Sequence, residues 1–329
     1  HLLNIKRLHS VRNQDPQFLS PFDIVIPVYH KKEPITYALI GQFEGEEDMY
    51  SKIQFITTIT NVIAVAIENK RLFKRQIEQE RLKREMELAQ EVQQMLIPKE
   101  FPREEGLEIA AIYKLHFNVG GDYIDFFYIA PGEYLLCMGD VSGKGVSAAM
   151  LVANFQAIIK SLIARFNRLE KLIRILNESI FAITQGDRFI TFFAAYVNTK
   201  KGIMKYVNAG HNPPLLFIDG EEEARQLGAE STVLGAVREL PESRQVDIPF
   251  EKEMLLIAYT DGLTDLENQG GEQFEMENVL DFATEHRYLS PRGFNDSLTH
   301  RIQEFTGSTD FPDDIAVMSC KINRWSPDD

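Results

Sequence analysis

Carboxylates set beside glycines or in pairs recur at four places in this chain: Gly120-Gly121-Asp122, Gly139-Asp140-Val141-Ser142-Gly143-Lys144-Gly145, Tyr259-Thr260-Asp261-Gly262 and Asp313-Asp314. Glycine lets a backbone turn sharply and approach a ligand closely, because it takes positive φ at little steric cost. Hard divalent cations such as Mg²⁺ or Mn²⁺ want oxygen donors of this kind: a few carboxylates, an occasional main-chain carbonyl and water. One such turn is equally well explained as a polar loop. Four of them, each at the end of an apparent strand, can converge on one edge of a sheet sandwich. Asp122, Asp140, Asp261 and Asp313 or Asp314 would then form a cluster that needs cations to stay charged. Two divalent ions held there would activate a water and aim it at a phosphoryl group. Neither Cys137 nor Cys320 is followed by an Arg at the spacing a cysteinyl-phosphate mechanism requires.

The chain has 329 residues, enough for about two domains and a substantial core. Its formal net charge of −14 argues against nucleic acid as a partner, since phosphate contacts need clustered Lys and Arg. A phosphorylated substrate stays open, because bound cations neutralise a cluster of acids locally. The two cysteines lie inside apolar runs and read as core residues of a reducing compartment, so a cytoplasmic location is expected. No uninterrupted apolar run approaches the roughly 20 residues of a membrane helix, and no signal peptide is evident. The chain opens at His1 within a stretch that reads as helical, as a piece of a longer protein would.

Positioning these turns falls to three regions. Residues 1–70 carry two strands, Phe22–Tyr29 and Ile35–Phe43, with a turn at Lys31–Pro34, and then a helix from Ile53 to Asn69. Residues 71–97 are dense in helix formers, with a heptad seam through Val65, Glu68, Leu72, Arg75, Gln79, Leu82, Met86, Ala89, Gln93 and Leu96. That seam predicts a parallel coiled coil joining two copies of the chain; a single solvated helix is the alternative. Pro98 should end the helix. Residues 98–329 alternate strands with two long amphipathic helices, Ser147–Phe166 and Leu169–Thr184, and two later ones around 278–285 and 293–305. The pattern predicts an α+β domain built on antiparallel sheets.

The set Val119-Gly-Gly-Asp-Tyr-Ile-Asp-Phe-Phe127, Gly139-Asp-Val-Ser-Gly-Lys-Gly-Val-Ser-Ala-Ala-Met150, Asn208-Ala-Gly-His-Asn-Pro-Pro214, Tyr259-Thr-Asp-Gly262 and Asp313-Asp-Ile315 closely resembles the SpoIIE/RsbU-type serine phosphatases, the bacterial branch of the metal-dependent type 2C phosphatases. The resemblance spans residues 89 to about 322, with five motifs in order. It implies a two-layer antiparallel β-sandwich flanked by helices, with two Mn²⁺ or Mg²⁺ ions at its edge. By carry-over Asp140 bridges both ions, the Val141 carbonyl binds one, Asp261 and Asp313 complete the first site, and Asp122 orders metal-bound water; Asp314 is the other candidate for the place of Asp313. Residues 1–70 resemble the closing half of a GAF domain, whose last helix runs on into an output linker. The family also implies a substrate: phosphoserine on a STAS-domain anti-sigma-factor antagonist. Leu115-His116, Ile124 and Ala316 depart from the usual pattern, which bears on substrate contacts near the first motif.

Three residues invite further roles. His211 can be a general acid, but its Ala-Gly-His-Asn-Pro-Pro setting reads better as a braced turn. Lys144 lacks the spacing of a P-loop lysine. Asp125 stands between an outer partner of the site and a solvated strand residue. The leading function is a serine/threonine protein phosphatase regulated through its N-terminal segment, with no membrane or nucleic-acid partner. The alternative is a catalytically idle sensor scaffold, which would be expected to have lost Asp140 or Asp261. A sensor kinase would need a linker histidine, and none occurs between Lys31 and Leu115.

Overall fold

The computed structural model describes residues 5, 7–12, 15–30, 33–41, 49–98, 106–115, 119–164, 168–241, 243–308, 311 and 313–325. The chain divides into two compact units, residues 1–84 and 85–329. The helical reading at His1 falls outside the described residues.

In the first unit β1 (His9–Ser10), β2 (Ile24–His30) and β3 (Glu33–Ile40) form an antiparallel sheet in that order. Ile5, Leu19 and Val25 make a small core with Val11, Tyr37 and Leu39 packed against it. The hairpin follows the expected β-branched runs, and β1 adds an edge strand that the sequence does not announce. One hairpin with a short edge strand does not by itself identify a GAF domain.

Helix α1 (Met49–Gln94) joins the two expected helical stretches without a break and ends before Pro98. Its last turn tightens instead: Met95 and Leu96 donate their amides three residues back, to Val92 and Gln93. Along the expected seam Leu72 and Leu82 are 47% and 55% exposed and Val65 and Met86 are also open, whereas Gln93 is buried. Gln93 belongs to the second unit and is buried within it.

That unit is a sandwich of two five-stranded antiparallel sheets between two helical layers. One sheet runs β10 (Arg225–Gln226), β9 (Leu215–Ile218), β12 (Glu253–Tyr259), β13 (Ile315–Asn323), β4 (Leu107–Lys114); the other runs β11 (Val246–Pro249), β8 (Ile203–Ala209), β7 (Ile190–Asn198), β6 (Glu133–Val141), β5 (Asp122–Ala130). Between them lies an apolar layer that includes Ile124, Leu136, Met138, Leu256, Met318 and Cys320. Alternation along each strand sends the other set of side chains outward, where they need cover.

Helices α2 (Val146–Ile163) and α3 (Leu169–Thr184) cover the β5–β8 sheet, with Phe155 packed edge-on against Tyr123 and Phe192. Helices α5 (Glu275–His286) and α6 (Pro291–Thr306), with the single turn α4 (Asp261–Thr264), cover the other sheet. Helix α2 is long and apolar enough by length and composition to cross a membrane, although Ser147, Asn154, Gln156 and Lys160 interrupt its apolar run. Its Ala148, Leu151, Val152, Phe155 and Ile159 are buried in the core between it and its sheet.

Candidate metal centre

All four aspartate turns lie at one end of the sandwich, because antiparallel pairing returns the chain there. Asp122 opens β5 and pairs in register with Asp140 near the end of β6. Asp261 opens α4 directly after β12, and Asp313-Asp314 precede β13, which pairs with β12. Like charges directly opposite on a sheet repel, yet Asp122 is almost fully buried. Its Oδ2 accepts from Thr260 Oγ1 at 2.9 Å, and Tyr113 Oη donates to its main-chain carbonyl at 2.9 Å. Thr260 Oγ1 in turn accepts from the Ala316 amide at 3.0 Å within its own sheet, so its bond to Asp122 ties the two sheets together at this point.

The glycines are explained by what surrounds them. A Cβ on Gly121 would stand 3.0 Å from the Val141 carbonyl oxygen and 3.1 Å from Asp140 Oδ1, so both oxygens face the same small space. A Cβ on Gly262 would run into the Asp314 carbonyl at 1.8 Å, which only glycine avoids. The Gly121 amide donates to Asp314 Oδ2 at 3.0 Å. Lys144 Nζ meets Asp313 Oδ2 at 2.5 Å, and Asp313 Oδ1 accepts from the Asp314 amide.

Asp122, Asp140, Asp261, Asp313 and Asp314 bring their charges to bear on one another here. Burial, then the charges of Asp261, Asp313 and Asp314, push the Asp140 carboxyl up to about 7. Asp122 is raised well above the ordinary carboxylate range by burial and then by Asp140, and Asp261 is raised by burial and by Asp265 and Asp313. Among the described residues no three acidic, His or Cys side chains stand close enough to enclose an ion by themselves. Such closure is not needed for Mg²⁺, which is held by one or two carboxylates and keeps several waters. The all-oxygen donor set, the space over Gly121 shared by Asp140 and Val141, and the mutually repelling carboxylates fit a hard divalent cation.

The family profile "Stage II sporulation protein E (SpoIIE)" matches residues 130–323. The chain belongs to the SpoIIE family. Its fold and motifs are those of a metal-dependent serine/threonine phosphatase of the type 2C superfamily. The family match includes Asp140, Asp261, Asp313 and Asp314, while Asp122 lies just before it. The chain is 27% identical over 270 residues to "Phosphoserine phosphatase RsbU" of Bacillus subtilis (strain 168), covering 80% of this chain and 78% of that protein. In fold it is similar to the "SiaA-PP2C domain of Pseudomonas aeruginosa", with a TM-score of 0.65 at 18% identity, over 76% of this chain and 99% of that one. It is also similar to RsbX, solved "in complex with magnesium", with a TM-score of 0.53 at 15% identity, over 68% of this chain and 98% of that one.

Other expected residues of this SpoIIE-family unit fall as follows. His211 is 4% exposed; its Nδ1 meets Thr191 Oγ1 at 2.9 Å and its amide donates to Asn208 Oδ1 at 2.8 Å. Burial lowers its pKa to about 4, so the ring is neutral and braces the turn. Asp125 is buried, not solvated: it accepts from Gln156 Nε2 at 2.8 Å and from Tyr123 Oη at 3.2 Å. Ile124 and Ala316 are buried in the inter-sheet layer; His116 lies outside the described residues.

Four groups at this site escape a reading of the sequence. Gln93, at the end of α1, clamps Gly120 from both sides: its Nε2 donates to the Gly120 carbonyl at 2.7 Å and its Oε1 accepts the Gly120 amide at 2.9 Å. Gln156 on α2 bridges the Leu96 carbonyl, at 2.6 Å, to Asp125. Thr260 seats Asp122, and Arg188 reaches the Ser142 carbonyl at 2.6 Å. Only Thr260 carried a signal, its place beside Asp261 in the third motif.

Proposed function

We propose that this chain hydrolyses phosphoserine on a regulatory protein, of the kind represented by STAS-domain anti-sigma-factor antagonists, at a centre of two Mn²⁺ or Mg²⁺ ions. The observation that carries this reading is the space over Gly121, where Asp140 Oδ1 and the Val141 carbonyl oxygen stand side by side and the paired Asp122 is buried beneath Thr260. Asp122, Asp140, Val141, Asp261 and Asp313 would hold the ions, with Asp314 braced behind them by the Gly121 amide. The ions, when bound, supply Lewis acidity at the phosphoryl oxygens and a more acidic water. Thr260 fixes the rotamer of Asp122, the clamped Gly120 fixes where that aspartate starts, and Lys144 brings a cation to the rim. A catalytically idle scaffold would have no use for a buried aspartate set opposite a half-buried one that repels it. The buried free cysteines fit a reducing, cytoplasmic setting.

The test is phosphate release from a phosphoserine protein and from a small aryl phosphate, with Mn²⁺ and with chelator. Release from the phosphoprotein should need metal. The aryl ester should be poorer by about 100-fold in kcat/KM, because the remote protein contacts that contribute binding energy are absent. Equal turnover of the two substrates, or turnover untouched by chelator, would overturn the reading.

We further propose that residues 1–70 form a GAF-like sensory segment, 71–97 a coiled-coil linker and 98–329 the phosphatase domain. On this reading α1 pairs with its copy in a homodimer along Val65, Leu72, Leu82 and Met86, all of them exposed in the single chain. A helix this polar has little else to bury. Leu82→Asp with Met86→Asp is expected to convert the dimer to monomer in sedimentation and to change the phosphatase rate. A parent protein that sediments as a monomer would remove the dimer from the proposal.

A further inference from the structure

We infer that Arg188 is a positioning residue for the loop Val141–Gly145, holding Ser142 in the place from which its amide directs the Val141 carbonyl; this rests on the two-ion reading above. A main-chain carbonyl used as a ligand has no rotamer of its own. It points where its peptide planes point, and a trans peptide sets its carbonyl opposite the following amide. The plane before Val141 is fixed by the Val141 amide, which donates to the Gly121 carbonyl at 3.1 Å. The plane that carries the Val141 carbonyl is fixed by the Ser142 amide, which donates to the Phe189 carbonyl at 2.9 Å. That bond turns the Val141 oxygen away from β7 and toward Gly121, where it borders Asp140 Oδ1.

Ser142 is held at two further points from the same place. Its carbonyl accepts from Arg188 Nη1 at 2.6 Å and its Oγ accepts the Phe189 amide at 2.9 Å. Arg188 Nη2 extends to Ser147 Oγ in the first turn of α2 at 3.4 Å. The Nη1 edge of the guanidinium occupies the space beside Gly143: a Cβ there would fall 1.5 Å from Nη1, and Gly143 has a φ of 93°. Gly145 also has positive φ, at 78°, so the loop makes two glycine turns and has little stiffness of its own. Arg188 itself is anchored, since its carbonyl accepts from Thr184 Oγ1 at 3.1 Å. The planar fork thus fills the space that glycine leaves and joins the loop to α2, which the point charge of lysine cannot do at both ends.

Mn²⁺ binding measured by calorimetry and by electron paramagnetic resonance tests this, alongside thermal unfolding in chelator. The proteins compared are the parent, Arg188→Gln, Arg188→Lys, Gly143→Ala and, as reference, Asp140→Asn. Arg188→Gln should bind Mn²⁺ about tenfold more weakly, the scale of lost outer-shell support, with its metal-free unfolding temperature unchanged. Arg188→Lys should fall between it and the parent. Gly143→Ala should bind at least as weakly as Arg188→Gln, because the new methyl displaces the guanidinium and alanine is strained at a φ of 93°. Parent-like affinity in Arg188→Gln and Gly143→Ala, with binding lost in Asp140→Asn, would overturn the role of Arg188 and leave the two-ion reading standing. So would a lowered unfolding temperature with parent-like affinity in the folded fraction, which makes Arg188 structural only. Undiminished binding by Asp140→Asn would overturn the two-ion reading and this inference with it.

Discussion

Asp140→Asn should lower metal-dependent phosphate release by about 10³-fold or more, the scale on which lost charge stabilisation at a reacting phosphoryl group is counted. The substitution keeps the shape of the side chain and removes its charge from the middle of the cluster, opposite Asp122 and within the influence of Asp261, Asp313 and Asp314. The fold should not suffer. In chelator the variant should unfold at the same temperature as the parent or higher, since one of several mutually repelling carboxylates has been neutralised. The paired result, activity lost with metal-free stability kept, separates loss of a ligand from loss of structure. Activity near that of the parent would remove Asp140 from the centre; a large drop in metal-free stability would make its charge structural.

Gln93→Ala should have the second largest effect, about 100-fold on kcat, at the upper end of what outer-shell partners contribute. Gln93 closes both hydrogen bonds of Gly120, two residues ahead of Asp122, and its side chain is 4% exposed. Truncation leaves a buried amide and carbonyl to find other partners, each costing about 1–3 kcal/mol if unmet. The glycine turn then loses the contact that sets where β5 begins, and with it the alignment of Asp122 against Asp140. Amide exchange at Gly120 and Gly121 should rise in the variant while exchange along β12 and β13 stays slow. A parent-like rate with faster exchange would mean that the clamp is dispensable for chemistry. In the regulatory proposal this clamp is where the linker helix meets the catalytic turn, and a bias of about 1.4 kcal/mol on it shifts a two-state population tenfold.

The aspartate turns were legible because their chemistry is local. Glycine beside a carboxylate has a conformational meaning that holds in any fold, and three such turns with an aspartate pair, all at strand ends, imply an edge. Strand and helix identities followed for the same reason: alternation and helical spacing record which face each element buries, and α3 emerges with the bounds its sequence predicts, Leu169–Thr184. The inter-sheet layer and both helical layers follow from those faces.

The supports of the site were not legible, since each joins residues that no spacing rule connects. Gln93 reads as a polar residue on a coiled-coil seam, and it becomes a clamp because the last turn of α1 packs against Gly120, 27 residues on. Arg188 reads as a loop cation before β7, and it becomes a strut because pairing of β6 with β7 returns the chain beside Ser142. Asp125 is ambiguous in sequence and buried in space, its carboxylate bonded to Gln156 from the covering helix. The sequence by itself determined which atoms can bind a hard cation and which faces must be covered, because those depend on residue type and short-range periodicity. Only the tertiary structure decided which glutamines and which arginine hold those atoms in register, because long polar side chains take their role from whichever backbone groups the packed fold leaves without a partner.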